Sequence, residues 1–406
     1  MSRTALATIH LGALRRNLAR VRERAGTARV MAVVKADGYG HGLERVARAL
    51  AGADAFGVAA LGDGLRLRAA GIDKRVVVLS GPDEAADIAE FQRLGLDAVI
   101  HHEAQLQWLE ADRSATSANA HPLRVWLKID TGMHRLGFVS AQVRDVHARL
   151  RALPNVEADS VLMTHFAASD EFDSPTTPAQ IAAFDAATRD LPGPRALANS
   201  AGVLGWPAAC GAIQGGIARE SSAPAVDSAG ASPGMNRTRD DEQVQDGTRS
   251  SEYWVRVGGL LYGLSVIAGK TGADLGFEPA MTLSTKLISV KRIPCGERVG
   301  YAGTYRCPED MPVGVAAIGY GDGYPRSVPS GTPVVVNSVR TAIIGRVSMD
   351  LIAIDLRNVP NVQVGDLVQL WGGNLPVEEV AARAGTISYD LTCGVTRRVL
   401  FVEDEV

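Results

Sequence analysis

Cysteine is scarce in this chain of 406 residues: Cys210, Cys295, Cys307 and Cys393 stand far apart, with no CxxC pair among them. That spacing argues against a disulfide scaffold or a cysteine-built metal knot, and a reducing compartment is the default. Long apolar runs are also missing. No segment approaches the roughly 20 apolar residues of a membrane span, and residues 1–6 lack the apolar stretch of a secretory signal. A cytoplasmic protein with no membrane contact is expected. Neither sign of charge dominates: 42 Lys and Arg against 45 Asp and Glu leave a formal net charge of −3. There is no basic field for nucleic acid or acidic lipid. A GxGxxG turn is absent too, which removes the fingerprint of a nicotinamide enzyme.

What is present is a hydrophobic content of 46%, enough for a sizeable core. The length favours two domains. In the first two-thirds, short apolar runs alternate with amphipathic stretches. The runs are 30–34, 55–60, 76–79, 98–100, 124–129, 160–164, 195–198 and 253–257, and helical patterns such as 43–51, 83–94 and 140–153 lie between them. Continuous apolar strands separated by helices predict a parallel sheet buried on both faces. Eight of them match a (β/α)8 TIM-like barrel, with a doubly wound open sheet as the runner-up. The last third is strand-like at 282–293, 313–318, 333–336, 341–344, 351–356 and 367–371, punctuated by Gly and Pro, with little helix. The expectation is an α/β chain: an N-terminal barrel, 1–275, and a C-terminal mainly-β domain, 276–406. Residues 211–252 break the barrel pattern. They are rich in Ser, Ala, Gly and charge, and read as a surface insertion.

The run Val33-Val34-Lys35-Ala36-Asp37-Gly38-Tyr39-Gly40-His41-Gly42 carries the chemistry. An apolar strand ends in a lysine, and an ammonium there is costly to desolvate unless it has a partner or a chemical task. A partly buried lysine deprotonates, and its amine can form a Schiff base with a carbonyl or with pyridoxal phosphate (PLP). A lysine snorkelling at a strand end is the plainer account. The glycines that follow, which let backbone approach a ligand closely, favour the chemical one. Active-site groups of a barrel project from the C-terminal ends of its strands. The candidates lie there: Lys35 after the first strand, Lys128 and Asp130 on the fifth, His165 on the sixth, Asn199 and Ser200 on the seventh, and Arg256, Gly258 and Gly259 on the eighth. Ser200 and the glycine pair can offer donors to a phosphate, although a turn serine alone is commonly structural.

These segments resemble the alanine racemase family in their order and wording. Besides the lysine run they are Asp130-Thr131-Gly132-Met133-His134-Arg135-Leu136-Gly137, Ala198-Asn199-Ser200-Ala201-Gly202 and Arg256-Val257-Gly258-Gly259-Leu260-Leu261-Tyr262-Gly263. In the last third they are Gly300-Tyr301-Ala302-Gly303, Gly319-Tyr320-Gly321-Asp322 and Gly345-Arg346-Val347-Ser348-Met349-Asp350. The resemblance implies a PLP-dependent isomerase that interconverts L- and D-alanine, with Lys35 and Tyr301 as opposed bases and no metal. Lys35 would hold PLP covalently. Tyr39, Ser200, Gly258 and Gly259 would grip its phosphate, with Asn199 beside them. Arg135 would bond the ring oxygen, and Lys128 would be open to carbamylation and support Arg135. Gly259 stands where the family more often has isoleucine, which a backbone contact tolerates. Arg256 would face the ring nitrogen. A guanidinium only donates, so that nitrogen stays neutral and transamination is discouraged. A tyrosine at its reference pKa of ~10 is a poor base at neutral pH, so a chain from Tyr301 through His165 to Arg256 would tune it. On sequence alone His165 reads equally well as a core histidine. Arg135, Met349 and Asp350 would hold the substrate, and Tyr320 and Tyr389 would narrow the mouth. Tyr301, Tyr320, Met349 and Asp350 would come from the other subunit of a homodimer with shared sites. The neighbouring readings are a broader-specificity amino-acid racemase, a decarboxylase of the same architecture, which would place an acid opposite the ring nitrogen, and a non-catalytic PLP-binding protein, which would not need the C-terminal residues. A role in peptidoglycan synthesis or in alanine catabolism is equally compatible with the motifs.

Overall fold

The computed structural model describes residues 4–112, 122–211 and 252–406; most of the expected insertion at 211–252 lies outside them. Eight parallel strands form the barrel of the first sheet, to which the two-residue strand Phe138–Val139 adds at its edge: β2 (Arg29–Val33), β3 (Ala55–Val58), β4 (Val76–Val78), β5 (Leu96–Ile100), β6 (Val125–Asp130), β7 (Val161–Met163), β8 (Arg195–Ala196) and β9 (Tyr253–Val257). Each pairs with the next, and β9 returns to β2 with Trp254 opposite Arg29 and Val257 opposite Ala32, closing the barrel. The expected runs match these strands to within a few residues. The open-sheet alternative is excluded by the closure.

The period of two along each strand sorts the side chains. Met31, Ala55, Val77, Val99, Trp126, Val161, Met163, Ala196 and Trp254 form one buried cluster inside the barrel. Val30, Ala32, Phe56, Val76, Val78, Ala98 and Ile100 belong to the larger core shared with the surrounding helices. Trp126 meets Trp254 edge-on, with ring centroids 5.3 Å apart. At the opposite end from Lys35, the fully buried Asp97 accepts from Trp126 Nε1 at 2.9 Å and from Arg124 Nε at 2.8 Å. These donors offset the desolvation of its carboxylate.

The second sheet is antiparallel through most of its pairings. Its strands are β10 (Met281–Ile293), β11 (Met311–Ala316), β12 (Pro333–Val336), β13 (Val339–Ile344), β14 (Ile352–Asp355) and β15 (Leu367–Trp371). They run β11-β14-β13-β12-β15-β10, and β10 also pairs with β11, so this sheet closes as well. The long β10 serves both neighbours by bending, with register shifts between Leu283 and Ser284 and between Leu287 and Ser289. Two strands outside the expected set complete it. β1 (Leu6–His10) is antiparallel to β10, and β16 (Leu400–Asp404) is parallel to β1. The chain thus begins in the second sheet before it enters the barrel, so the opening strand departs from a division at 275/276. Two helices, Val377–Ala384 and Ser388–Gly394, also lie where little helix was expected.

Replacing Trp126 with Phe keeps the ring and removes the donor to Asp97. The expected loss is about 1–3 kcal/mol, measured by urea unfolding, with the site at the other end of the barrel unchanged.

Candidate active site

The strand ends at the C-terminal rim of the barrel surround a cavity of about 910 Å³, within the size range of small-molecule sites. Lys35, Tyr39, Lys128, Arg135, His165, Asn199, Ser200, Arg256, Gly258, Gly259 and Tyr389 all line it. Tyr301, Tyr320, Met349 and Asp350 do not.

Lys35 follows β2 and opens a left-handed turn: Ala36, Asp37, Gly38 and Tyr39 have φ of 52°, 53°, 63° and 54°. Non-glycine residues resist this conformation by roughly 1–2 kcal/mol each, so the surroundings must hold it. Gly38 N donates to Val34 O at 2.9 Å, Gly42 N to Asp37 O at 2.8 Å, and Leu43 N to Asp37 Oδ1 at 3.1 Å. The turn sends Lys35 into the cavity, where solvent reaches it through the mouth. Surrounding protein, and then the Arg135 guanidinium, hold its amine below the ordinary lysine range.

The same turn brings the Tyr39 ring over Tyr262, with centroids 4.7 Å apart, and edge-on to Tyr389 at 5.7 Å. Tyr262 is fully buried and donates to Val33 O at 3.1 Å, pinning the strand just before the lysine. A Cβ added to Gly258 would stand 2.3 Å from the Tyr39 hydroxyl oxygen, and one added to Gly259 would stand 2.4 Å from that of Tyr389. Both glycines are therefore required for the close approach of the two phenols. Gly258 N donates to Ser200 Oγ at 3.0 Å. Asn199 turns inward to its own backbone: its Oδ1 accepts from Gly202 N and from Ser169 Oγ, which fixes Ser200 in place.

Arg256 lies on β9 at the cavity floor, buried. It donates to the carbonyl oxygens of Ala196, Thr164 and Leu197 and to His165 Nδ1, the last at 3.4 Å. Burial lowers its pKa to about 10, so it stays protonated at neutral pH. Its donation to Nδ1 makes that nitrogen the acceptor and leaves the proton on Nε2. His165 is neutral: burial and the nearby Arg256, Lys128 and Arg135 push it down to about 2. Of the two contacts that a relay through His165 calls for, the one to Arg256 is present. Lys128, buried on β6, is lowered to about 7 by burial and by Arg256 and Arg135. Asp130 organises the loop that carries Arg135: its Oδ1 accepts from Gly132 N and His134 N, each at 3.0 Å.

The residues outside the cavity share a surface of the second domain. Tyr301, Tyr320 and Met349 are 69%, 39% and 53% exposed. Tyr320 N donates to Ser348 O at 3.1 Å and Gly321 N to Met349 O at 2.9 Å, which ties the two loops together. Asp350, expected at the substrate of the other subunit, bonds Arg398, which also approaches the buried Asp322 at 3.4 Å. Its carboxylate anchors the loop that presents Met349.

Several residues in and around the cavity were not foreseen. Tyr262 packs behind the cavity wall against Tyr39. Cys393 lines the wall beside Lys35, and nothing in its sequence surroundings marks it. Glu378 accepts from Ser265 N at 2.7 Å and Gly272 N at 3.2 Å, shaping another wall. Gln180 bonds Thr131 and His165 O across the rim. Among the described residues no group of three or more His, Cys, Asp or Glu side chains gathers to hold a metal.

A closed barrel that points a depressed lysine, a buried arginine and a glycine-and-hydroxyl cradle into one cavity, with a β domain beside it, defines an amine-chemistry enzyme of the (β/α)8 class. Residues 9–224 match the alanine racemase N-terminal domain and residues 280–402 the alanine racemase C-terminal domain. The chain is 44% identical over 401 residues to the alanine racemase of Halorhodospira halophila, covering 98% of this chain and 97% of that one. It is 43% identical to that of Vibrio cholerae, with the same coverage. The solved biosynthetic alanine racemase of Pseudomonas aeruginosa superposes with a TM-score of 0.84 at 38% identity, over 99% of this chain and all of that one. The chain belongs to the alanine racemase family.

Lys128 gives a pH signature. Its folded pKa lies near 7, below the unfolded value of ~10.4. The unfolded chain thus binds more protons between those limits, and its penalty on folding is full below pH 7 and fades as pH rises towards 10. Lys128→Met is expected to be more stable than the parent at pH 6.5, with the gain shrinking by pH 9.5, as read by denaturant titration. An unvarying gap refutes a free amine at this position.

Proposed function

We propose that this chain is a PLP-dependent alanine racemase that interconverts L- and D-alanine with Lys35 and Tyr301 as its two proton-handling groups. The observation that carries the reading is Arg256: a protonated, buried donor at the cavity floor whose contacts are carbonyls and His165, with no carboxylate. A decarboxylase of this architecture calls for an acid there.

The residues suit the cofactor. The cradle of Tyr39, Ser200, Gly258 and Gly259 offers the two hydroxyls and the Gly259 N–H, the Gly258 N–H being given to Ser200, where no side chain of the glycines intrudes, as a phosphate requires. Arg135 and Arg256 would meet the ring's oxygen and nitrogen, and Lys35 its aldehyde. PLP bound there supplies the electron sink that makes the α-hydrogen of an amino acid removable.

This chain's own groups then handle the proton. The Lys35 amine, held below its ordinary pKa, accepts and returns it at Nζ on one face. The opposite face needs a second group, and no tyrosine from this protomer's second domain other than Tyr389 lines the cavity. Tyr301 sits on an exposed surface, which suits delivery into a neighbouring copy's cavity. The partner's Tyr301 would meet the Nε2–H of His165, a donor that favours the phenolate. The exposed Tyr320 and Met349 would arrive with it and leave space for a methyl side chain, while Arg135 pairs the substrate carboxylate. On this reading the working unit is a homodimer, and the free thiols of all four cysteines suit a cytoplasmic setting. The near-neutral pKa of Lys128 favours attack of its amine on carbon dioxide, so a carbamate there would give Arg135 and Arg256 an anionic partner.

Purified protein supplied with PLP should convert L-alanine to D-alanine without releasing carbon dioxide; gas release without D-alanine rejects the assignment. Lys35→Ala and Tyr301→Ala proteins, each inactive alone, should regain activity when subunits exchange on mixing. Exchange without recovery rules out a composite site. Tyr301→Phe should slow removal of the α-hydrogen from one enantiomer far more than from the other, as measured by deuterium incorporation. Equal losses contradict two opposed bases.

A further inference from the structure

His41 follows the lysine turn and has no part in the chemistry above. It is fully buried. Its Nδ1 lies 2.9 Å from Tyr39 O and 3.1 Å from Gly38 O. Carbonyls only accept, so Nδ1 carries a proton. Burial lowers the imidazole pKa to about 4, so it is neutral and Nε2 is a bare acceptor. That atom is buried and meets no hydrogen-bond partner among the described residues. Trp371 Nε1, on β15 of the second domain, is likewise a buried donor without a partner. Both residues line one small cavity of about 40 Å³ between the domains, walled by Tyr262, Gly263 and Leu264 on one side and Gly372, Pro376 and Val377 on the other.

An unmet acceptor and an unmet donor at one cavity are costly apart, at about 1–3 kcal/mol each. One water that accepts from Trp371 and donates to His41 satisfies both, and a cavity needs only about 10–15 Å³ of this measure to hold one. The orientation is fixed at both ends. His41 also faces Tyr262, with ring centroids 4.8 Å apart, and Tyr262 stacks on Tyr39. The line of contact runs from Trp371 through the cavity to His41, then to the Tyr39 carbonyl and the phenol that meets Gly258.

We propose that His41 is a positioning residue for cofactor retention: with a buried water shared with Trp371, it holds the left-handed turn that places Tyr39 at the phosphate cradle. This rests on the PLP reading above. The second domain thereby contributes to cofactor grip within its own protomer, separately from the surface that carries Tyr301.

The test titrates PLP into apo-protein, follows binding at equilibrium by fluorescence, and measures thermal unfolding of each apo-protein alongside. His41→Leu should weaken PLP binding ~10-fold, the scale of one buried hydrogen bond. His41→Asn, whose amide can still donate to the two carbonyls, should lie within ~3-fold of the parent. Parent protein that takes up no PLP rejects the cofactor reading itself. A parent that binds PLP while His41→Leu binds equally well, or while His41→Asn is as weak as His41→Leu, overturns the positioning role alone. A crystal structure of the parent holoenzyme, which needs no variant to fold, should show a water within hydrogen-bond reach of His41 Nε2 and Trp371 Nε1. A dry cavity there removes the shared-water link.

Discussion

Basic side chains crowd the mouth of an apolar barrel, and little opposes them. Lys35, Lys128, Arg135 and Arg256 line one cavity together. Of the acids on its wall, Glu378 is occupied by two backbone N–H groups, and Asp170 sits exposed. Buried like charges raise one another's cost of ionisation. The depressed pKa values of Lys35, Lys128 and His165 all trace first to burial and then to that crowding. Such a site is incomplete until anions enter. A phosphate, a ring oxygen and a substrate carboxylate are the three that the proposed reaction brings. The electrostatics and the proposed chemistry are thus one constraint: on the proposed reading, the cations that would recognise the ligands also help to hold the Lys35 amine below its ordinary pKa.

The barrel was legible because its strands are buried on both faces and read as uninterrupted apolar runs, such as Ala55–Val58 and Val76–Val78. Their order fixes closure once each is known to be parallel. β1 was not legible for the opposite reason. Leu6–His10 alternates buried and half-buried residues, a pattern too short to separate from the helix that follows, and its partners lie some 275 to 395 positions away along the chain. Helix Val377–Ala384 was hidden in a segment where Gly and Pro suggested only turns.

The site was legible where type and position coincide. A lysine, a serine and an arginine at the ends of successive apolar strands can point only to the same rim. The sequence could not show which groups are already engaged. Asp350 looks like a free carboxylate until Arg398, 48 residues later, is seen against it. Asn199 lines the cavity, but its oxygen is already taken by Gly202 N. His165 could be anything until Arg256 donates to it. Engagement depends on long-range contacts, and these are the information that motif spacing lacks.

The two domains of one protomer are not simply neighbours. A Cβ on Gly40 would stand 2.0 Å from the Thr392 carbonyl oxygen, and one on Gly259 would collide with Tyr389. Both glycines belong to barrel loops, and both obstacles belong to the helix Ser388–Gly394 and its surroundings. The absence of two side chains lets the second domain close over the lysine turn, press Tyr389 against Tyr39, and bring Cys393 to the wall beside Lys35. A larger residue at 259 would displace Tyr389 first, because the ring is the movable partner and the barrel strand is not. The glycine therefore sets how far the mouth is narrowed, and the second domain shapes the cavity before any partner subunit is considered.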